Sequence, residues 1–375
     1  MPRILVYGGG AIGQWVAAHV AAAGATVDVL CRPAACEAIL EGGIVVHGAH
    51  GGSLHARVGA ASRLADLARQ TYDWIFLTVK AFDVASALAS LTAAGLLAGT
   101  DEATGVLPDP RSPGGPRLVG FQNGVGTEDL IAARLGSGRS FVCVVTRPIA
   151  LTEKPGVLQE AKRRGGVALA PYDAGGTMGD LDAILDASRL EVARLSDHRS
   201  MKWSKLLLNA TANATCAILD VTPASLYADA DLFAIEHAAF TEALAVMKAM
   251  QIVPVDLPGY PVRRFVSVMT RFPRPVARRL LKVAAGSARG SKLPSLRLEM
   301  ERTRSPERAS GIGTPSEVAW LNGAVVEYAR RCGLQAPVNE LLTRALLDVM
   351  SGNVSWEVWR NRPDRLVAEY RRVVH

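Results

Sequence analysis

The chain contains 375 residues, of which 49% are hydrophobic and 21% are charged, and 42 Lys and Arg against 35 Asp and Glu give a formal net charge of +7 at pH 7. This length exceeds that of one ordinary domain and the apolar fraction suffices for sizeable cores, so the composition excludes a disordered chain and suggests two domains. The basic excess is concentrated between residues 254 and 292, where nine Lys or Arg stand against one Asp. Because the remainder of the chain is close to neutral, we expect no nucleic-acid partner.

The cysteines and histidines form no pattern typical of a metal site or a disulfide framework. Five cysteines are scattered without a C-x-x-C or Cys/His spacing, which is typical of reduced intracellular thiols. The first residues run directly into a glycine turn, and the longest uncharged stretch, Val84–Thr100, is short and weakly apolar for a membrane span. We therefore expect a cytoplasmic protein without a metal ion and without a membrane partner.

The first third of the chain alternates strand-like and helix-like segments. The apolar run Arg3–Tyr7 predicts a strand, and the Ala-rich segment Gln14–Ala23 after the glycine turn predicts a helix. Further strands are predicted at Thr26–Cys31, Trp74–Val79 and Leu118–Phe121. Strands separated by helices favour a parallel, doubly wound sheet, so the sequence predicts an α/β fold with an N-terminal Rossmann domain.

The later part of the chain changes character. The Pro- and Gly-rich segment Thr100–Pro116 predicts a surface loop, and short β-rich pieces in Ser140–Pro171 predict antiparallel strands that complete the first domain. From about residue 180 the apolar spacing becomes helical. The predicted helices include Leu181–Leu195, Met201–Leu219, Leu232–Met250, Ser316–Cys332 and Val338–Met350. The sequence thus predicts a Rossmann domain over residues 1–190 and an all-helical domain over residues 191–375.

A glycine pattern follows the first predicted strand and opens the first predicted helix. Gly8, Gly10 and Gly13 have the G-x-G-x-x-G spacing of a dinucleotide-binding turn. In such a turn the first glycine permits the tight bend, the second lets the backbone approach a pyrophosphate, and the third allows close packing of helix and strand. A merely structural turn is the alternative, but the strand–turn–helix context favours dinucleotide binding.

The end of the second predicted strand indicates which dinucleotide binds. NAD enzymes place a carboxylate there for the ribose 2′-hydroxyl, whereas an arginine accommodates the 2′-phosphate of NADP. Arg32 stands at the strand end, while Asp28 lies in mid-strand, too early for that position. The alternative is that Asp28 binds the ribose and Arg32 is a surface charge. We favour Arg32 and therefore NADP(H) as the cofactor.

Three polar residues lie at helical spacing in an otherwise apolar segment. Lys205, Asn209 and Asn213 follow one another every four residues, which predicts one stripe along one helix. Because a buried ammonium or amide costs free energy unless it is hydrogen-bonded, three such groups in register favour a ligand site. The alternative is structural: the amides bond to neighbouring helices, and the lysine side chain reaches solvent.

Several motifs recur in the order typical of one enzyme family. They are Gly8–Gln14, Arg32, Thr78–Ala81, Gln122–Gly126, Trp203–Asn213, Ser295 and Glu317. On these motifs the sequence resembles the ketopantoate reductases (2-dehydropantoate 2-reductases), members of the 6-phosphogluconate-dehydrogenase-like superfamily. The resemblance implies an oxidoreductase of pantothenate biosynthesis that reduces a 2-oxo acid to a 2-hydroxy acid with NADPH, with ketopantoate as the leading substrate. A homodimer through the helical domain is a further implication.

The resemblance also implies a role for each matched residue. Lys205 is implied as the catalytic acid that protonates the keto oxygen, with Glu317 as the second catalytic residue. The implied substrate ligands are Asn209, Asn213, Ser295 and Asn123. The implied cofactor ligands are Gly8, Gly9, Gly10, Ala11, Ile12, Gly13, Arg32, Lys80, Asn123 and Glu317. An ammonium beside the carbonyl suits this chemistry, because alkoxide charge develops on the oxygen as hydride arrives.

Three segments depart from the family and leave alternatives open: Asp220–Leu226, and the loop Thr100–Pro116 and the basic stretch Pro254–Lys292, which are both longer than expected. Asp220–Leu226 lacks the Gly-Glu-Leu motif that usually follows this helix, so a different branched or larger 2-oxo acid is an alternative substrate. A non-catalytic NADP(H)-binding regulator is the alternative of another class, and the presence of both Lys205 and Glu317 argues against it. The basic stretch Pro254–Lys292 has three interpretations: arginines for a carboxylate substrate, a solvated helix face or subunit contact, which we favour, and a contact with membrane phosphates.

Overall fold

The computed structural model describes residues 1–97, 114–288, 294–303 and 315–374. Most of the predicted loop Thr100–Pro116, the end of the stretch Val84–Thr100, and Arg289 and Lys292 of the basic stretch lie outside the described residues. The strands are β1 (Arg3–Tyr7), β2 (Thr26–Leu30), β3 (Ile44–His47), β4 (Ser53–Ala56), β5 (Gly59–Ala61), β6 (Trp74–Leu77), β7 (Arg117–Gly120), β8 (Ser140–Val145), β9 (Ile149–Leu151), β10 (Val157–Glu160), β11 (Val167–Pro171) and β12 (Val192–Arg194). The helices are α1 (Ala11–Ala22), α2 (Pro33–Gly42), α3 (Val84–Ala93), α4 (Thr127–Leu135), α5 (Asp180–Ala187), α6 (His198–Ala210), α7 (Ala214–Leu219), α8 (Pro223–Ala228), α9 (Ala230–Ala249), α10 (Val262–Arg271), α11 (Arg274–Ala288), α12 (Ser295–Thr303), α13 (Asn322–Arg331), α14 (Pro337–Met350) and α15 (Pro363–Val374).

Eight strands form the larger sheet, in the order β12-β11-β8-β7-β6-β1-β2-β5. Neighbouring strands are parallel except for the antiparallel pair β11 and β8. A parallel strand that is covered on both faces needs an uninterrupted apolar run, and all residues of β6, Trp74–Leu77, are buried. The predicted α/β fold with a parallel N-terminal sheet is confirmed.

A second sheet has the order β4-β3-β10-β9. The prediction of antiparallel strands within Ser140–Pro171 is confirmed for β9 with β10 and for β11 with β8. The prediction did not include β3 and β4, an antiparallel hairpin whose first strand pairs in parallel with β10, much later in the chain. A partner so distant leaves no signal in the local sequence pattern.

Glu160, the last residue of β10, is the buried charge of this second sheet. Its carboxylate accepts hydrogen bonds from the Trp15 indole N–H at 2.8 Å and from Arg147 Nη1 at 3.0 Å, and His19 Nε2 lies 3.9 Å from it. Burial by itself would raise the pKa of Glu160, but the contacts with His19, Trp15 and Arg147 outweigh burial and lower the pKa to about 2. The carboxylate therefore stays ionised at neutral pH and ties α1 to this sheet.

The C-terminal part of the described chain is helical, as predicted. Helices α6 to α15 contribute to one hydrophobic core, in which Leu206, Ile235 and Leu342 are fully buried. Across the four described ranges, no helix combines the length and the apolar character that crossing a membrane requires.

Two predicted helices are interrupted in the structure. The predicted helix Leu181–Leu195 ends at Ala187, because Arg189 adopts a left-handed conformation (φ 59°), and the residues of β12 follow in a strand. The predicted helix Ser316–Cys332 starts as the 3₁₀ turn Glu317–Trp320 before α13 begins. A left-handed residue cannot continue a right-handed helix, and apolar spacing alone does not reveal it.

The chain divides into two compact units. The first unit comprises Met1–Gln122, Gly126–Met201 and Leu257–Tyr260, and the second comprises Asn123–Val125, Lys202–Asp256 and Pro261–His375. The division into functional domains at residues 1–190 and 191–375 stays a prediction.

Candidate active site

The glycine turn lies between β1 and α1 in the first unit. Gly8 has a φ of 122°, which favours glycine, and the N–H groups of Gly8 and Gly9 both donate to the Leu30 carbonyl, at 3.1 and 2.9 Å. A Cβ atom at Gly13 would collide with the Gly8 carbonyl oxygen, whereas a Cβ atom at Gly10 would meet no atom within 4 Å. The protein's own packing therefore requires glycine at position 13, while position 10 borders open space.

Two side chains brace the turn from either side. The Gln14 amide N–H donates to the Gly9 carbonyl at 2.7 Å, and the Thr78 hydroxyl donates to the Gly8 carbonyl at 2.7 Å. Both bonds use carbonyl oxygens of the turn, so they fix its backbone without occupying the N–H groups that an anion would need.

Helix α1 begins directly after Gly10, and its first intrahelical bond runs from the Gln14 N–H to the Gly10 carbonyl at 3.0 Å. The N–H groups of Ala11, Ile12 and Gly13 precede that bond and are those that a helix leaves without intrahelical acceptors. Together with the helix dipole they suit an anionic group such as a pyrophosphate. The start of α1 thus has free space and N–H groups for an anion, and the phosphate-binding role of these residues stays a prediction.

The strand β2 is followed by the arginine that was predicted to bind the 2′-phosphate. Arg32 is exposed and is the N-cap residue of α2. Asp28, the alternative ribose ligand, is engaged elsewhere: its Oδ2 accepts hydrogen bonds from Arg3 Nη2 at 2.9 Å and from Tyr72 Oη at 3.0 Å. These contacts disfavour the alternative in which Asp28 binds the ribose.

Lys80 and Gln122 follow the neighbouring strands β6 and β7. Gln122 Nε2 donates to the Leu77 carbonyl at 2.7 Å, which ties the two strand ends together. Lys80 is half-buried and precedes a 3₁₀ turn that contains Asp83. Burial raises the pKa of Asp83, and the Lys80 ammonium opposes this rise.

In the second unit, α6 and a short loop bring three predicted residues together. Lys205 and Asn209 are half-buried and lie one turn apart on one face of α6. Asn209 Nδ2 donates to Asn123 Oδ1 at 3.2 Å. The Asn123 loop is itself held in place, because the Val125 N–H donates to the Trp320 carbonyl at 3.1 Å. The two amides therefore form a pair on the lysine's face of the helix.

The prediction of one helix through Asn213 is wrong, because α6 ends at Ala210 and α7 begins at Ala214. Between them Ala212 adopts a left-handed conformation (φ 59°), and its N–H donates to Glu236 Oε2 at 2.6 Å. Glu236 lies on α9 and is 2% exposed, so a buried carboxylate stabilises the break. Asn213 consequently follows a turn instead of continuing the stripe of α6.

Asn213 joins this break to α12. Its Nδ2 donates to Ser295 Oγ at 3.0 Å, and its Oδ1 accepts from the Leu296 N–H at 3.0 Å. Since a backbone N–H can only donate, the orientation of the amide is determined, with its oxygen on Leu296. The structure thus brings the predicted pair Asn213 and Ser295 into contact.

Glu317 opens the 3₁₀ turn Glu317–Trp320 and is 3% exposed. Its N–H donates to the Glu299 carboxylate at 3.2 Å, and the Ser316 hydroxyl donates to the same carboxylate at 3.2 Å. Glu299 lies on α12, the helix that begins at Ser295. One helix therefore positions both Ser295 and the turn that carries Glu317.

Sequence analysis missed the buried charges that support these residues. Glu236 and Glu299 were not singled out, although Glu236 stands four residues from both Leu232 and Phe240 on the buried face of α9. A lone acid at a position where the spacing predicts an apolar residue is the signal that could have revealed it. Lys202, three residues before Lys205, is 2% exposed and is likewise a charged residue within an apolar helical segment.

Asp220, the first residue of the segment that departs from the family's Gly-Glu-Leu motif, has a structural role. Its carboxylate accepts hydrogen bonds from Arg297 Nε at 2.7 Å and from Arg360 Nε at 3.0 Å. Burial by itself would raise the pKa of Asp220, but the two guanidinium groups outweigh burial and lower it. Because Arg297 follows Ser295 by two residues on α12, Asp220 helps to fix the start of that helix.

Comparisons with known proteins agree on one family. The profile of ketopantoate reductase PanE/ApbA matches residues 4–173, and that of its C-terminal part matches residues 197–349. The 2-dehydropantoate 2-reductase of Pyrococcus horikoshii is 23% identical over 346 residues, covering 91% of this chain and 95% of its own. The 2-dehydropantoate 2-reductase of Mesorhizobium japonicum is 27% identical over 340 residues, covering 88% and 91%.

Solved structures show the same fold. A PanE/ApbA family ketopantoate reductase from Ralstonia eutropha JMP134 has a TM-score of 0.71 at 22% identity and covers 94% of this chain and 99% of its own. A D-mandelate dehydrogenase, solved with NADH and anilino(oxo)acetate, has a TM-score of 0.71 at 18% identity and covers 94% and 100%. Since the two family profiles together span most of the sequence in their proper order, the chain belongs to the ketopantoate reductase family.

Proposed function

We propose that this protein reduces a 2-oxo acid to a 2-hydroxy acid with NADPH, and that 2-dehydropantoate (ketopantoate) is its leading substrate. The observation that carries the proposal is the polar cluster of the second unit, in which Lys205 shares a helix face with the Asn209–Asn123 pair and Asn213 bonds to Ser295. A 2-oxo acid needs a proton donor at its keto oxygen and further donors at its carboxylate, and this set supplies both. The curated relatives named 2-dehydropantoate 2-reductase support the choice of substrate.

The residues of the first unit fit a phosphorylated dinucleotide. Open space at Gly10 and the N–H groups at the start of α1 suit a pyrophosphate. The exposed guanidinium of Arg32 suits a 2′-phosphate, and Lys80 is proposed for the nicotinamide end of the site. When bound, the reduced nicotinamide supplies the hydride. Because the D-mandelate dehydrogenase structure contains NADH, NAD(H) is the alternative cofactor.

The side chains of the second unit are proposed to carry the proton transfer and the binding. Lys205 donates a proton to the keto oxygen while negative charge develops there, and then recovers a proton from solvent. Asn209, Asn213 and Ser295 hold the carboxylate and hydroxyl groups of the substrate. Glu317 contacts the cofactor or the reacting oxygen. The carbonyl thus gains one hydride at carbon and one proton at oxygen, which balances its conversion to an alcohol.

A different 2-oxo acid is the second candidate substrate. The carboxylate of Asp220, in the segment where the family carries Gly-Glu-Leu, is bound to Arg297 and Arg360. A carboxylate engaged in this way serves the structure of α12, so we do not propose Asp220 as a substrate ligand. The D-mandelate dehydrogenase of similar fold makes an aryl 2-oxo acid a specific option.

The function is tested by measuring NADPH oxidation with 2-dehydropantoate, a branched aliphatic 2-oxo acid and an aryl 2-oxo acid, beside NADPH binding in the absence of substrate. We expect the highest kcat/KM with 2-dehydropantoate. A clear preference for another 2-oxo acid would support the proposed reaction type but identify a different substrate. NADPH binding without turnover of any 2-oxo acid would overturn the proposed reaction and favour a regulator.

A pair of glycine variants tests the cofactor turn. Gly13→Ala should lower the free energy of unfolding by about 1–3 kcal/mol, because the added methyl group collides with the Gly8 carbonyl. Gly10→Ala should leave the unfolding free energy unchanged, since its methyl group meets no protein atom and its backbone (φ −78°, ψ −170°) suits alanine. Gly10→Ala should nevertheless weaken NADPH binding, because the methyl group occupies the space of the pyrophosphate.

Urea unfolding without cofactor measures the loss of stability, and fluorescence titration with NADPH measures the loss of cofactor affinity. The variants serve as matched controls for each other, because each adds one methyl group to a glycine of the same motif. Unchanged NADPH affinity in Gly10→Ala would contradict the proposed position of the pyrophosphate.

A further inference from the structure

Helix α11 carries exposed apolar side chains along one line. Val276 is 43% exposed, Leu280 46% and Val283 68%, and Phe272, just before the helix, is 45% exposed. The spacing of Val276, Leu280 and Val283 places them on one face within two helical turns. Single exposed apolar residues are ordinary, but a continuous row of them is not what a solvated helix face presents.

One half of the apolar face of α11 is covered by the protein itself. Ala277 is fully buried and Leu281 packs against the helical core, where α11 contacts α8 and α9. Ala277 lies about 100° around the helix axis from the exposed Val276, and Leu281 lies about the same angle from the exposed Leu280. The helix is therefore anchored by one half of its apolar arc and presents the other half outward.

Cationic side chains are frequent on α11 and on the preceding helix α10. The exposed basic residues of α10 and α11 are Arg263, Arg264, Arg271, Arg274, Arg279 and Lys282. The acid of this stretch, Asp256, accepts a hydrogen bond from the backbone N–H of Arg263 and so serves the start of α10. Lys and Arg beside an exposed apolar row are the pattern of helices that lie in the interface of an anionic membrane.

We propose that the α10–α11 surface, residues 262–284, docks onto an anionic lipid surface, with the row of α11 at the acyl boundary and the flanking cations on lipid phosphates. A second copy of the chain that used the same face would bring two strongly basic surfaces together, which like-charge repulsion opposes. The proposal is independent of the reductase reaction. It departs from the expectation of no membrane partner, because only the folded structure reveals that Val276, Leu280 and Val283 of α11 are exposed to solvent.

Vesicle flotation with the full-length protein tests the proposal. We expect the protein to float with vesicles of phosphatidylcholine and phosphatidylglycerol, and to stay behind with vesicles of phosphatidylcholine alone. Binding should be lost at about 1 M NaCl, where the Debye length falls to about 3 Å. Absence of flotation with anionic vesicles at low salt overturns the proposal, and equal flotation with neutral vesicles does the same.

Two variants locate the binding surface. Leu280→Gln removes an apolar contact without a change in charge, and Arg279→Glu/Lys282→Glu reverses two flanking charges. Each should reduce the vesicle-bound fraction by about tenfold or more, while NADPH oxidation stays at the wild-type rate.

Matched controls lie elsewhere on the surface. Leu130→Gln on α4 changes an apolar residue that is 45% exposed, and Arg163→Glu/Arg164→Glu makes the same change in net charge at an exposed pair. Vesicle binding that falls equally in the controls would show a general charge effect and overturn the assignment to α11. Light scattering tests whether the face binds a second copy of the chain instead. A concentration-dependent dimer that dissociates in Leu280→Gln would show this and would also overturn the membrane proposal.

Discussion

The Lys205→Ala variant should lose about 10²- to 10⁴-fold in kcat for reduction of 2-dehydropantoate, the magnitude typical of removing a general acid. A methyl group can neither protonate the keto oxygen nor stabilise the negative charge that develops on it. Because Lys205 is half-buried within α6 and alanine has high helix propensity, we expect the fold to be retained. The measurement is the rate of NADPH oxidation at saturating substrate.

Two controls separate lost chemistry from lost structure in this experiment. Lys248→Ala removes an exposed lysine from α9 and should keep the wild-type kcat. Lys205→Ala should still bind NADPH with the affinity of the wild type. Undiminished turnover by Lys205→Ala would exclude Lys205 as the proton donor.

The Arg32→Asp variant should lower kcat/KM for NADPH by about 10- to 100-fold, because charge-assisted hydrogen bonds to a phosphate contribute about 1.5–3 kcal/mol. Its carboxylate can accept a hydrogen bond from a ribose 2′-hydroxyl, so kcat/KM for NADH should not fall and can rise. The ratio of the two kcat/KM values is the measurement, at one fixed concentration of the 2-oxo acid.

Arg69→Asp makes the same charge change at another exposed arginine of the first unit and should leave the cofactor ratio unchanged. If Arg32→Asp changes NADPH and NADH kinetics by equal factors, Arg32 does not bind the 2′-phosphate. Wild-type enzyme that prefers NADH would contradict the choice of NADP(H) directly.

The central strands of the larger sheet could be predicted from the sequence, because burial on both faces requires uninterrupted apolar runs such as that of β6. The edge strand β12 could not be predicted, since its three residues form a strand only because they pair with β11. The hairpin of β3 and β4 likewise depends on β10 for its place in the second sheet. Pairing between distant segments leaves no local period in the sequence.

The polar residues of α6 could be predicted from their helical spacing, but their partners could not. The break at Ala212 depends on Glu236, 24 residues later, and the Asn209–Asn123 pair joins residues that are 86 positions apart. Apolar spacing continued through Asn213, so the sequence predicted an unbroken helix. The left-handed residue is stabilised by a tertiary hydrogen bond, which no local pattern encodes.

The contact between Asn213 and Ser295 has a direction. Because the Asn213 oxygen accepts from the Leu296 N–H, its amino group must donate to Ser295 Oγ, and the Ser295 proton is then directed to a third partner. The Leu296 N–H, the Asn213 amide and the Ser295 hydroxyl thus form a chain of hydrogen bonds with one direction, which begins in the backbone of α12 and ends at the Ser295 O–H donor. A carboxylate oxygen can accept a hydrogen bond from this hydroxyl, whereas an ammonium group can only donate to the remaining lone pair of Ser295 Oγ and leaves the hydroxyl proton without an acceptor. In the proposed substrate site, this order of hydrogen bonds therefore favours a ligand that brings an acceptor to Ser295.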